Sequence, residues 1–189
     1  MKIFYLLGKS ASGKDTIFNM LINDSELNLE RLIPCTTRPK RANEVDGVDY
    51  YFYTVDEFKK MQSDDQIIES RTYNTENGQW IYFTKKQSLD SNYITIGTID
   101  SYLNIRNIYA DDIIPIYLYL DDGIRLQRAL VREQEELNPK YAEMCRRFLA
   151  DIDDFSEEKL CNANINIRIE NISTQKTYQE VKNVIIKAL

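Results

Sequence analysis

Seven residues near the start of the chain, Gly8-Lys9-Ser10-Ala11-Ser12-Gly13-Lys14, constrain the fold more than any other stretch. They follow the apolar run Ile3 to Leu7 and precede a helical pattern carrying Ile17, Met20, Leu21 and Ile22, so the local order is strand, glycine loop, helix. Glycines let backbone N–H groups converge on phosphate oxygens, and the helix N-terminus adds its partial positive charge. Lys14 supplies a full charge against the outer phosphates. A merely tight turn would not require a lysine directly after its last glycine. Gly8, Lys9, Ser10, Ala11, Ser12, Gly13, Lys14, Asp15 and Thr16 are therefore the expected cradle of a nucleoside triphosphate. Asp15 stands where this motif normally has the hydroxyl that contacts magnesium. Either Thr16 substitutes for it, or phosphates and water hold the metal.

Composition narrows the chemistry. The 189 residues are 43% apolar and 29% charged, enough for one compact unit with small inserted subdomains. Acidic residues number 30 against 24 Lys and Arg, which disfavours a nucleic-acid polymer as partner and makes any anion site a local cluster. The chain has no His, and its three cysteines (Cys35, Cys145 and Cys161) form no CxxC pair. Zinc sites and His-dependent nucleophiles are thereby excluded, and a reduced, cytoplasmic protein is expected. The apolar run before Gly8 is too short for a signal segment or a membrane span.

Further apolar runs at Tyr93 to Ile96, Ile113 to Leu120 and Ile165 to Ile169 alternate with helical stretches, which argues for a parallel sheet covered by helices. Two segments break that rhythm. From Pro34 to Thr84 the chain is rich in Tyr, Thr, Arg and Glu and reads as a small mixed insertion. Arg125 to Phe155 reads as two charged helices with a turn around Asn138 and Pro139. Ser173 and Thr174 are capping candidates for a packing helix that ends the chain.

The segment Thr36-Thr37-Arg38-Pro39-Lys40-Arg41-Ala42-Asn43-Glu44-Val45-Asp46-Gly47-Val48-Asp49-Tyr50-Tyr51-Phe52 resembles the guanylate kinase pattern TTRxxRxxExxGxxYxF at every fixed position. Its chemistry makes sense independently. Arg38 and Arg41, with the phenol of Tyr50, can converge on one phosphate monoester. A carboxylate, for which Glu69 is the candidate, accepts in parallel from the two donors on guanine's edge. The resemblance implies GMP contacts at Thr37, Arg38, Arg41, Glu44, Tyr50, Glu69, Tyr82 and Asp100. It also departs from the family pattern. Gln79 and Phe83 replace glycines around Tyr82, Pro34 stands where a serine is frequent, and Gly97-Thr98-Ile99-Asp100 replaces an acidic cluster. Asp100 is then the remaining acid there, for the base or the metal.

The same resemblance, running from Met1 to about Phe155, implies an α/β P-loop NTPase fold with a parallel five-stranded sheet. Residues 1–32, 85–124 and 156–189 would form the nucleotide-binding core, 33–84 a GMP-binding subdomain and 125–155 a lid. Arg128 would join the ATP site, and Arg132 and Arg147 would join Lys14 and Arg38 in stabilising the moving phosphoryl group. The bland alternative for the lid arginines is ion pairing with Glu133, Glu135, Glu143 or Asp151. The activity implied is magnesium-dependent transfer from ATP to GMP or dGMP, giving ADP and GDP, by a monomer or homodimer. The alternatives are a P-loop kinase of another small acceptor and an inactive protein-interaction module. A regulatory GTPase would need an NKxD motif, which the chain lacks.

Overall fold

The computed structural model describes residues 1–41, 44–75, 78–86 and 90–189, so Ala42 and Asn43 of the arginine motif lie outside the described residues. In chain order the elements are β1 (Ile3–Leu7), α1 (Lys14–Ile22), β2 (Leu29–Arg31), β3 (Cys35–Thr36), β4 (Tyr51–Phe52), α2 (Val55–Ser63), β5 (Ile67–Thr75), β6 (Gly78–Lys85), β7 (Asn92–Ile96), α3 (Ile99–Tyr109), β8 (Ile113–Tyr119), α4 (Asp122–Gln134), α5 (Tyr141–Asp154), α6 (Glu157–Asn162), β9 (Ile167–Glu170) and α7 (Thr174–Ala188).

A five-stranded sheet in the order β2-β7-β1-β8-β9 is parallel throughout, as expected. Every residue of its central strand β1 is buried, because both faces are covered. Phe4 and Leu6 point to one face, where Ile17 and Leu21 of α1 and Val181 and Ile185 of α7 close the core. Tyr5 and Leu7 point to the other, against Tyr102 and Ile105 of α3 and Leu160 of α6. Each such apolar side chain contributes about 1.5–3 kcal/mol on burial, which is why the strand shows no polar alternation.

β2 has no counterpart in the sequence reading, since three residues carry no readable period. The last strand starts later than the apolar run suggested: Asn164, at φ 55°, turns the chain before Ile167. Ser173 occupies the N-cap of α7 but makes no side-chain capping bond there.

The residues between β2 and β7 build a second, mixed sheet, β4-β3-β6-β5, with α2 packed on it. Thr54 and Glu57 form a capping box at the start of α2. Phe83, where the family pattern has glycine, is fully buried and packs edge-on against Phe58, with ring centroids 5.0 Å apart. The aromatic is the insertion's own core. α4 and α5 form a helical pair beyond β8, joined by a turn that contains Asn138 and Pro139. Among the described residues no helix is long and apolar enough to cross a membrane.

Candidate active site

The glycine loop leaves β1 and enters α1 through two residues in the left-handed region, Ala11 at φ 60° and Gly13 at φ 84°. Ala11 accepts a cost of about 1–2 kcal/mol in doing so, the price of turning successive N–H groups inward. Two close approaches exclude side chains from the loop. A Cβ on Gly8 would stand 2.6 Å from the Leu118 carbonyl oxygen and from Ser12 Oγ; one on Gly13 would stand 2.4 Å from Asn171 Nδ2. No side chain caps α1 at Gly13, which leaves its first-turn N–H donors available to an anion. Lys14 lies at the same helix start, 3.9 Å from the Asp15 carboxylate, and Asp15 itself is 75% exposed.

The loop is held from outside by residues that the sequence reading did not place there. Asn171, just beyond β9, donates from Nδ2 to the Ser12 carbonyl at 2.7 Å. Arg125 of α4 is fully buried and donates from Nε to the Ser10 carbonyl at 3.0 Å, from Nη1 to Asp122 and from Nη2 to Asp151 at 2.9 Å, with its guanidinium 4.8 Å above the Phe148 ring. Asp151 of α5 in turn accepts from the Ser10 N–H at 2.7 Å. Lys9 pairs with Asp122 at 3.3 Å. One buried arginine thus ties α4 and α5 to the phosphate loop. Its signal in the sequence was faint: an Asp three residues before an Arg on one helical face.

Of the lid arginines, Arg128 does approach the loop, with Nη1 3.7 Å from the Cβ position of Gly13. Arg132 is exposed on α4 and borders a shallow groove with Gln127, Arg128, Val131 and Glu135. Arg147 is 3.6 Å from Glu143, which also takes Arg146 at 2.7 Å. The structure therefore brings Arg128 to the phosphate loop and leaves Arg132 and Arg147 on the surface of α4 and α5, Arg147 in the surface pairing that was its alternative.

In the insertion, Arg38 is buried at the centre of the signature. Its Nε donates to Tyr82 Oη at 3.0 Å, Nη1 to Glu44 Oε2 at 2.6 Å and Nη2 to Glu44 Oε1, while its guanidinium lies 5.0 Å over the Tyr50 ring. The Arg38 hydrogen bond holds the Glu44 carboxyl down at about 2. Glu44 also accepts from the Arg41 N–H at 2.9 Å, so it orients the cluster more than it faces a ligand. Arg41 is exposed beside it. Thr37 exchanges hydrogen bonds with Ile81 of β6: its hydroxyl accepts from the Ile81 N–H at 3.0 Å and its own N–H donates to the Ile81 carbonyl at 2.8 Å.

Glu69 sits where a bulge shifts the β5 to β6 register between Ile67 and Glu69, a device that re-aims side chains. The side chain is 1% exposed. Oε1 accepts from Thr84 Oγ1 at 2.9 Å and Ser101 Oγ at 3.1 Å; Oε2 accepts from Arg71 Nε at 3.1 Å. Strand, hairpin partner and core helix thus converge on one carboxylate. Asp100 is placed in the first turn of α3, exposed, and the charged groups that feel it include Asp154 at the end of α5 and Lys159 of α6. Thr84, Ser101 and Arg71 were not singled out as site residues. Arg71 had a readable signal: two residues after Glu69, it shares the same strand face.

Among the described residues no group of three or more His, Cys, Asp or Glu could cage a metal. An exposed Asp15 and Thr16 beside Lys14 suit an ion that keeps most of its ligands as water and phosphate oxygen, the usual habit of magnesium.

Loop, parallel sheet, insertion and helical pair define a P-loop α/β nucleotide-binding protein. A family model described as guanylate kinase matches residues 1–188, and the chain belongs to that family. The match runs on through the C-terminal strand and helix, where the sequence resemblance had faded. A guanylate kinase of Mycoplasmoides gallisepticum is 44% identical over 71 residues, 38% of this chain and 36% of the relative. One from Zymomonas mobilis is 46% identical over 68 residues, 35% of this chain and 31% of the relative. The chain thus spans about a third of the length of the curated relatives it matches. The crystal structure of guanylate kinase from Anaplasma phagocytophilum shares the fold at a TM-score of 0.70 and 18% identity, covering 99% of this chain and 85% of that one.

Proposed function

We propose that this protein transfers the γ-phosphoryl group of ATP to GMP, and to dGMP, giving ADP and GDP or dGDP. The observation that carries the proposal is Glu69: a carboxylate aimed by a bulge into the joint between insertion and core, in the same insertion as the Arg38 cluster and the same chain as an uncapped phosphate loop. Adenine offers no matching pair of donors to it.

The residues divide the work by charge and reach. The N–H groups of the glycine loop and the first turn of α1, other than those of Ser10 and Ser12, and the ammonium of Lys14 take the triphosphate, with Arg128 at the Gly13 edge. Asp15 and Thr16 are the residues that would hold a magnesium ion bound with ATP, with Asp100 the further acid; the ion would supply positive charge against the triphosphate. Arg38, Arg41, Tyr50 and Tyr82 take the monophosphate, with Thr37 shaping the strand and Glu44 fixing Arg38. Arg132 and Arg147, exposed on the lid helices, are the charges available to the moving phosphoryl group as residues 125–155 close over both nucleotides and exclude water. We take residues 33–84 as the acceptor-binding unit and the remainder as the donor-binding core, acting in the cytoplasm on free nucleotides as a monomer or homodimer.

The test is ADP release with ATP and magnesium, offering GMP, dGMP, AMP, UMP and CMP separately. Release that depends on GMP, falls about 10²–10³-fold in Lys14→Ala and loses guanine preference in Glu69→Gln is the expected outcome. Turnover of another acceptor alone would overturn the guanine assignment, and silence with all five would overturn the kinase.

A further inference from the structure

Arg71 is the charged residue on the base-reading carboxylate that the phosphoryl-transfer chemistry leaves without a task. Its Nε lies 3.1 Å from Glu69 Oε2 and its Nη1 donates to Thr98 Oγ1, at the start of α3, at 2.8 Å. Nη2 has no partner among the described residues, and the side chain is 23% exposed. Arg71 borders a cleft, with room for about one water molecule, together with Tyr5, Pro34, Thr84, Thr95 and Ser101. A purine enters it only as the insertion draws away from the core sheet.

The donors around that cleft can be accounted for one by one. Thr84 and Ser101 give their hydroxyls to Glu69 Oε1. Thr95 gives its own to the Leu32 carbonyl at 3.0 Å. The Tyr5 phenol is buried and lies against Ser101. Pro34 has neither an N–H nor a polar side chain. The Nη2 group of Arg71 is left as the uncommitted charged donor of the cleft, and Glu69 Oε2, with one bond accepted, as its acceptor.

We propose that Arg71 is a specificity residue: its guanidinium donates to the O6 edge of guanine while Glu69 Oε2 accepts from the adjacent N1–H. The inference rests on the GMP assignment above and deepens it. A guanidinium fixed beside a carboxylate presents donor and acceptor in the order that guanine's edge requires, acceptor O6 next to donor N1–H. Adenine presents the reverse order, an amino donor beside an N1 acceptor, and meets like with like at both positions. Arginine fits because its planar fork keeps one arm on Glu69 and leaves another for the base.

The experiment compares kcat and KM for GMP and for 6-thio-GMP, whose sulfur is a poor acceptor at the position of O6, in the wild-type protein and in Arg71→Met. The wild type should favour GMP over 6-thio-GMP by about tenfold or more in kcat/KM. Arg71→Met should lose about 10–100-fold with GMP, mainly through KM, and the preference over the thio analogue should fall to near one. Equal losses with both acceptors would show that Arg71 only holds Glu69 in place and would overturn the proposal, as would a wild type indifferent to the sulfur, a result that needs no variant to fold. A wild type that turns over no GMP overturns the functional assignment itself, and this inference with it; GMP turnover with an unchanged thio ratio in the variant overturns this inference alone.

Discussion

Replacing Arg125 by Met is the sharpest test of how α4 and α5 are tied to the phosphate loop. The guanidinium has no exposed surface and holds three groups at once: the Ser10 carbonyl, Asp122 and Asp151. Removing one partner from a buried ion pair costs about 3–5 kcal/mol, because the other charge stays behind without compensation. Two features pull this case to the lower end. Asp122 is 46% exposed and keeps Lys9 at 3.3 Å; Asp151, 14% exposed, keeps the Ser10 N–H at 2.7 Å. A loss of about 3 kcal/mol follows, which for a chain of this length lowers the melting temperature by about 6–12 °C. Urea unfolding of Arg125→Met, Asp151→Leu and the double variant closes the cycle. Because the double variant leaves no orphan charge between the two positions, it should cost less than the summed single losses by about 1–2 kcal/mol. Hydrogen exchange at the Ser10 amide should accelerate in Asp151→Leu. A melting temperature unchanged in Arg125→Met, or strictly additive losses, would refute the tie.

Acid sensitivity follows from Glu44. Its carboxyl titrates at about 2 in the folded protein against an ordinary value of 4.5, so its stabilisation is complete above about pH 5 and is lost as pH falls through the folded value. Glu44→Gln should therefore flatten the fall in urea stability between pH 5 and 3, though not abolish it, since Asp24, held at about 2 by Lys182 and Tyr178, titrates in the same range; an unchanged slope would contradict the pairing with Arg38. Gly97→Ala should destabilise by about 1–3 kcal/mol, because its Cβ would lie 1.8 Å from the Tyr5 hydroxyl oxygen. Adding Tyr5→Phe should recover part of that loss in thermal melts and leave the remainder, as the ring carbon that bears the hydroxyl is itself 2.7 Å from the Cβ position.

What could be read from the sequence, and what could not, follows the range over which each residue acts. The phosphate loop was legible because its geometry is local: strand, two glycines, lysine and helix are contiguous, and the backbone itself makes the site. The Arg38, Glu44 and Tyr50 cluster was legible for a similar reason, all of it lying within one signature of seventeen residues from Thr36 to Phe52. Phe83 replaces a glycine of the family pattern, yet it fills the core of the insertion against Phe58, an explanation that required knowing which face of β6 is covered. Arg125 and Asn171 act on the loop across 115 and 159 residues of chain, and no period or motif encodes such a span. Arg71 lies between these cases. Its place on the Glu69 face of β5 is a matter of alternation, but its meaning depends on three distant facts: the bulge that turns Glu69 inward, the Thr98 hydroxyl that holds one arm of the guanidinium, and the hydroxyls of Thr84 and Ser101 that occupy the other carboxylate oxygen. An arginine beside an acid on a strand reads as a surface pair until those contacts are counted; once they are, the free arm has a direction and a chemical partner.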